Sequence, residues 1–195
     1  MDHALLSREK LTAYIHELVL SGYKLDRIVN ELLLLARVRR IEDIEIHPVD
    51  MGEIVQEVQL RTRDLAEKYQ ATFSLPDTWP QALGYAPWIE EVWFNYISNG
   101  IKYGGPAPHL TLGATKESSR MLRYWVHDTG KGLTPEQQRE LFTPFERLSQ
   151  IHLEGQGLGL SIVHRIMKKL GGHVGVESEA GQGCTFYFTL PTEIN

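Results

Sequence analysis

Apolar residues along this chain follow three spacings in turn, and each predicts a different element. From Ser7 to about Arg39, Leu11, Leu18, Leu25 and Leu32 recur every seven residues, with Ile28 and Leu35 in complementary positions and Ile15, Val29 and Ala36 widening the stripe. A heptad held that long predicts a helix built to pack against another helix. Tyr14, Ser21 and Gly22 interrupt the seam in its first half. The alternative is an amphipathic helix folded onto its own domain.

Beyond Pro48 the spacing changes. Ile44-Glu45-Ile46-His47 alternates like a strand, and Asp50 is placed to cap a helix from Met51 to Tyr69. Ala71 to Leu75 and Gln81 to Gly84 read as strands around the turn at Pro76 to Pro80. A second long helix is expected from Pro87 to Ile101, with proline in its first turn. Leu110 to Thr115 and Arg120 to His127 alternate as paired strands. A helix from Leu158 to Leu170 stops at Gly171-Gly172, and strands at Val174 to Glu177 and Thr185 to Leu190 close the sheet. The sum is an α+β fold: a two-layer sandwich with helices on one face of a mixed, mainly antiparallel sheet, preceded by a long N-terminal helix. The expected boundary lies between residues 1–42 and 43–195.

Composition narrows the classes. With 195 residues, 42% hydrophobic and 23% charged, the chain has an ordinary globular balance. A net charge of −5 argues against a nucleic-acid partner, which would call for a basic footprint. No apolar run approaches the roughly twenty residues of a membrane span, so no membrane segment is expected. Cys184 is the single cysteine, which excludes an internal disulfide, fits a reducing cytoplasm and reads as a small residue at a strand entry.

Chemistry concentrates in five places. Asn95 and Asn99 lie four apart on one helix and share a face, followed by Lys102 and Tyr103. Next come Asp128-Thr129-Gly130-Lys131-Gly132, then Leu141-Phe142-Thr143-Pro144-Phe145-Glu146-Arg147, then Gly155-Gln156-Gly157-Leu158-Gly159-Leu160 opening a helix, and last Gly181-Gln182-Gly183-Cys184-Thr185-Phe186. Glycines before a helix start let backbone N–H groups reach a phosphate. An Asn carbonyl is an oxygen ligand for Mg²⁺ that does not repel phosphate, and a Lys reaches phosphate as a point charge. A carboxylate at a strand end can accept hydrogen bonds from the N–H groups of a ligand. Each feature alone has an ordinary reading: a solvated polar group, an Asx turn, a chain reversal.

In this order they resemble the N box, first glycine box, F box, second glycine box and closing glycine motif of sensor histidine kinases. Those kinases carry the ATPase fold of the GHKL superfamily, shared with gyrase-type topoisomerases, MutL and the Hsp90-type chaperone. The resemblance covers about Pro48 to Pro191 and, more weakly, the N-terminal helix, which is similar to the second helix of a dimerisation hairpin. It implies ATP and Mg²⁺ as cofactors, with Asn99 as the Mg²⁺ ligand and Asn95 supporting the same face. Asn99 and Lys102 would be catalytic, Tyr103 would stack on adenine, and Asp128, Gly130, Gly132 and Thr185 would form the adenine end. Residues 133–156 would be a lid loop, with Phe142 packing it and Arg147 near the triphosphate. Gly155, Gly157, Leu158, Gly159 and Leu160 would hold the phosphates.

The chain departs from the family at Gly100, where Ala is usual, and at Gly84-Tyr85 in place of Gly-Asp. It also lacks an acceptor motif: His16-Glu17-Leu18 continues as Val19-Leu20-Ser21 rather than Arg-Thr-Pro, and His16 falls in the second hairpin helix. The expectation is therefore the ATP-binding part of a cytoplasmic kinase, either free or as the inner part of a membrane-bound sensor. It would dimerise through the N-terminal helix and serve a response regulator receiver domain. The competing readings are a GHKL ATPase clamp, which would need a transducer domain downstream, and a degenerate kinase acting as a nucleotide-regulated dimerisation module.

Overall fold

The computed structural model describes residues 10–12, 14–19, 21–22, 25, 29, 33, 36, 44–141 and 159–193. The chain divides into two units, Met1–Ile41 and Glu42–Asn195. In the first, the described residues are helical, and Leu11, Leu18, Leu25 and His16 are exposed. Ile28, Leu32 and Leu35 of the heptad lie outside the described residues.

The second unit is built from seven strands and five helices among its described residues. A short antiparallel pair joins β1 (His47–Val49) to β3 (Ala82–Gly84). The main sheet has the order β2-β4-β5-β7-β6, with β2 (Thr72–Ser74), β4 (His109–Lys116), β5 (Met121–Asp128), β6 (Val174–Ser178) and β7 (Cys184–Pro191). Only β2 runs parallel to its neighbour β4; the other pairings are antiparallel. The first strand thus sits a few residues later than Ile44–His47. It includes Pro48, which a two-stranded edge tolerates because its missing N–H breaks no interior ladder.

The helix expected over Met51–Tyr69 is two, α1 (Met51–Arg61) and α2 (Arg63–Tyr69). Thr62 divides them: its hydroxyl donates to the carbonyls of Val58 (2.8 Å) and Gln59 (3.3 Å), competing with the helical ladder. Asp50 caps α1 as expected, its carboxylate accepting from the Glu53 N–H at 3.0 Å. Helix α3 (Ala86–Tyr103) carries Pro in its first turn, but its N-cap Tyr85 makes no side-chain cap bond. Helix α5 (Gly159–Lys169) follows the undescribed stretch. The expected lid loop also holds a further helix, α4 (Pro135–Glu140). It starts at a capping box in which the Thr134 hydroxyl and the Gln137 side chain satisfy each other's backbone N–H groups.

Alternation along β5 shows how the layers meet. Leu122, Tyr124, Val126 and Asp128 are buried beneath the helices, while Arg123, Trp125 and His127 face the other way. The core centres on Trp93 and Tyr96 of α3, Tyr124 of β5 and Phe188 of β7, all fully buried. Trp93 meets Phe188 edge-on at 5.2 Å, and Tyr124 stacks on Phe188 at 5.4 Å. Two of these rings bring a hydroxyl into the core, and both hydroxyls are satisfied. Tyr96 donates to the Tyr187 carbonyl (3.0 Å) and Tyr124 to the Pro80 carbonyl (2.6 Å). Burial pushes both phenol pKa values up.

Among the described residues, no helix of this unit lies against the opposite face of the sheet. There Trp125 lies across Gly113 of β4 and Tyr187 across Gly175 of β6, so that a Cβ on either glycine would collide with the ring. The Arg123 guanidinium stacks 3.7 Å above the Tyr187 ring and reaches Glu177 at 2.7 Å. Arg123 holds the Glu177 carboxyl below its ordinary pKa.

Candidate functional site

Asp128 is the fourth inward position of β5, a carboxylate in a row that is otherwise Leu, Tyr and Val. It is 4% exposed. Its Oδ1 accepts from the Gly130 N–H at 2.9 Å, the expected Asx-type turn. Burial raises its pKa, opposed by the backbone N–H groups of Gly130 and Cys184 and by nearby His127. A buried carboxylate kept at a strand end is suited to accept from a ligand donor.

The C-terminal end of α3 and two glycine turns enclose this group. A Cβ at Gly104 would lie 3.4 Å from the Asp128 Cβ, and one at Gly100 3.7 Å from it. At Gly130 a Cβ would come within 2.6 Å of the Tyr103 carbonyl and 2.8 Å of Asp128 Oδ1. Gly183 has φ +80° and lies so close that a Cβ would run into the Asp128 carbonyl and stand 3.3 Å from the Gly130 nitrogen. Gly132, also at positive φ, backs onto Glu179 of the closing turn. The structure thus brings together Tyr103, Asp128, Gly130, Gly132 and Gly183.

On α3, Asn95, Asn99 and Lys102 are half-buried at i, i+4 and i+7, and Tyr103 is exposed. The Asn95 amide donates to the Glu91 carbonyl at 2.8 Å, and its Oδ1 faces Gly159, where a Cβ would collide with it. The start of α5 therefore seats against the Asn95 side chain, which joins the end of the second glycine motif to the Asn face; Leu160 is the next residue of that helix and half-buried. Gly155, Gly157, Leu158, Phe142 and Arg147 lie outside the described residues.

No cluster of three His, Cys, Asp or Glu side chains suited to a metal exists among the described residues. Asn99 offers one half-buried carbonyl oxygen, which fits a Mg²⁺ that takes its other ligands from phosphate and water.

Thr185 requires a correction. It pairs with His127 rather than with Asp128, faces away from the buried side of the sheet, and its hydroxyl bonds His127 Nδ1 at 3.0 Å. The residue opposite Asp128 is Cys184, buried at 8% exposure, with its thiol pKa pushed up by burial. Strand alternation carries the needed signal: Phe186, Phe188 and Leu190 are the inward apolar positions, and stepping back by two from Phe186 reaches Cys184.

The family model described as "Histidine kinase-, DNA gyrase B-, and HSP90-like ATPase" matches residues 84–194, more than half of the chain. The chain belongs to this family. Among curated relatives it is 34% identical over 185 residues to the methanogenesis regulatory histidine kinase FilI of Methanothrix harundinacea, covering 92% of this chain and 20% of FilI. It is 32% identical over 173 residues to the adaptive-response sensory kinase SasA of Synechococcus elongatus, covering 86% of this chain and 44% of SasA. The chain therefore spans less than half the length of these relatives. Among solved structures, full-length ShkA in complex with AMPPNP superposes with a TM-score of 0.75 at 27% identity, over 98% of this chain and 41% of ShkA. ThkA in complex with the response regulator TrrA shares the fold, with a TM-score of 0.75 at 22% identity over 98% of this chain and 54% of ThkA. This member of the ATPase family is thus similar to proteins named as histidine kinases, and its fold is that of histidine kinase catalytic domains.

Proposed function

We propose that this chain is the ATP-binding catalytic module of a sensor histidine kinase, supplying the γ-phosphoryl group for transfer to an imidazole nitrogen on a dimerisation domain. The observation that carries the reading is the buried Asp128 carboxylate at the end of β5, enclosed by glycine turns and the end of α3. The Asp128 carboxylate accepts the adenine amine, and Tyr103 stands at the same end of α3 to cover the base. Asn99 lends its carbonyl to Mg²⁺, and Asn95 sets the spacing between α3 and the start of α5. Lys102 and the glycine motif that precedes α5 in sequence neutralise the phosphates. Catalysis is then positioning and charge neutralisation, as phosphoryl transfer requires.

The same reading makes the N-terminal helix half of a dimerisation hairpin, with residues 1–42 and 43–195 as separate domains, a response regulator as phosphoryl acceptor from the histidine, and the cytoplasm as the compartment. No helix among the described residues is long and apolar enough to cross a membrane. The test is calorimetric titration with ATP and ADP, with and without Mg²⁺. Asp128→Asn weakens every titration, because it alters the group that reads the base. Asn99→Ala removes mainly the Mg²⁺-dependent share. Equal affinities for wild type and both variants would sink the assignment.

A further inference from the structure

Ser178, the last residue of β6, has a hydroxyl that reaches three other residues. It donates to the Gly183 carbonyl at 2.6 Å and accepts from the Leu133 N–H at 2.8 Å. Cys184 Sγ lies 3.3 Å away. A hydroxyl has one proton and two acceptor sites. With the proton spent on Gly183, the Cys184 thiol is the donor of the third bond. The group is then fully used.

We infer that Ser178 is a positioning residue for the base-reading end of the nucleotide site, setting the spacing of the two glycine turns and thereby the aim of Asp128. The path is continuous. Ser178 holds Gly183 by its carbonyl, and Gly183 packs on the backbone of Asp128 and on the Gly130 nitrogen, whose N–H orients Asp128 Oδ1. The same hydroxyl holds Leu133, three residues beyond Gly130, and fixes the thiol of the residue paired with Asp128. Three further bonds tie the turns together. The Gly181 N–H donates to the Lys131 carbonyl at 2.7 Å. The Gln138 amide of α4 donates to the carbonyls of Leu133 (3.1 Å) and Ser178 (2.9 Å). Those three end on backbone carbonyls and do not involve the Ser178 side chain, so the hydroxyl can be removed without dismantling the junction.

The inference rests on the reading of Asp128 as the adenine-selecting carboxylate, and the experiment separates the two. Ser178→Thr and Ser178→Val are near-isosteric and suit a strand equally; only the hydroxyl differs. In the 195-residue chain, dissociation constants for ATP and GTP are measured by calorimetry for wild type, both variants and Asp128→Asn, with melting curves of each. Val weakens ATP binding by about five- to tenfold, the scale of one lost buried hydrogen bond, and narrows the ATP-to-GTP preference, while Thr restores both. Loss of folding alone would shift the melting curve and leave the base preference intact. Should Val melt early, Ser178→Ala replaces it in the comparison. Equal affinities and preferences for Thr and Val, with Asp128→Asn impaired, overturn the role of Ser178 and leave the site standing. A wild type that binds no ATP, or does not prefer it to GTP, overturns both.

Discussion

Asp128 titrates in a direction that can be followed. Burial raises its pKa above that of the unfolded chain. Its contribution to stability is therefore fully present below the unfolded value, near 4, and is lost as pH rises through the folded one. Asp128→Asn cannot ionise, so its stability relative to wild type should increase with pH across that window, as read from denaturant unfolding at several pH values. Base recognition runs the opposite way, because the adenine amine needs an unprotonated acceptor. Affinity for adenosine, which has no phosphate to titrate alongside, should weaken on acidification at a higher pH than an ordinary carboxylate would give. A profile identical to that of Asp128→Asn would remove Asp128 from the site. The strand periodicity that buries Asp128 also turns Thr185 away, and here the motif misled: counting from the glycines of the closing turn points to either neighbour, whereas counting along β7 points only to Cys184. Replacing Thr185 with Val should accordingly leave ATP affinity within about twofold of wild type, since the lost hydroxyl bond is to His127 on the far face.

At the scale of elements, helix α3 does two jobs with two faces. Trp93 and Tyr96 anchor it in the aromatic core, and Asn95, Asn99 and Lys102 present the polar face beside it. Trp93→Ala should cost about 3–5 kcal/mol and lower the melting midpoint by roughly 10 °C. Thermal unfolding checks this, and a shift of only a degree or two would mean that the core is not centred there. The long helices and strands β4 to β7 were legible because each carries a full period of apolar residues. Two features escaped for local reasons. The break at Thr62 comes from a hydroxyl that donates back along its own helix, a choice that the apolar period over Met51–Tyr69 does not record. Helix α4 is six residues of polar sequence, too short for a period, and only its Thr134–Gln137 capping box marks it.

For the whole molecule, the first consequence is association. Leu11, Leu18 and Leu25 are exposed on helical residues. Burying a leucine side chain is worth about 1.5–3 kcal/mol, so three on one stripe drive self-association. Sedimentation should show dimers or larger species, and Leu18→Ser with Leu25→Ser should shift them to monomer with nucleotide affinity unchanged, because the candidate ATP residues all lie in the other unit. A wild-type monomer at high concentration would exclude the seam. The same chain, given γ-labelled ATP, should keep no acid-labile label, as His16 is exposed on a helix without the acceptor motif; label abolished by His16→Gln would reverse that. The sheet face that bears Trp125 and Tyr187 carries a different kind of consequence. Trp125 fills the space over Gly113, and Tyr187 the space over Gly175, so each aromatic and its glycine make one choice distributed over two strands. A larger residue at position 113 is compatible only with a smaller one at 125, and likewise for 175 and 187. Across descendants of this sequence the members of each couple should therefore change together or not at all, and a lineage that drifts at one site should show the reciprocal change at its neighbour.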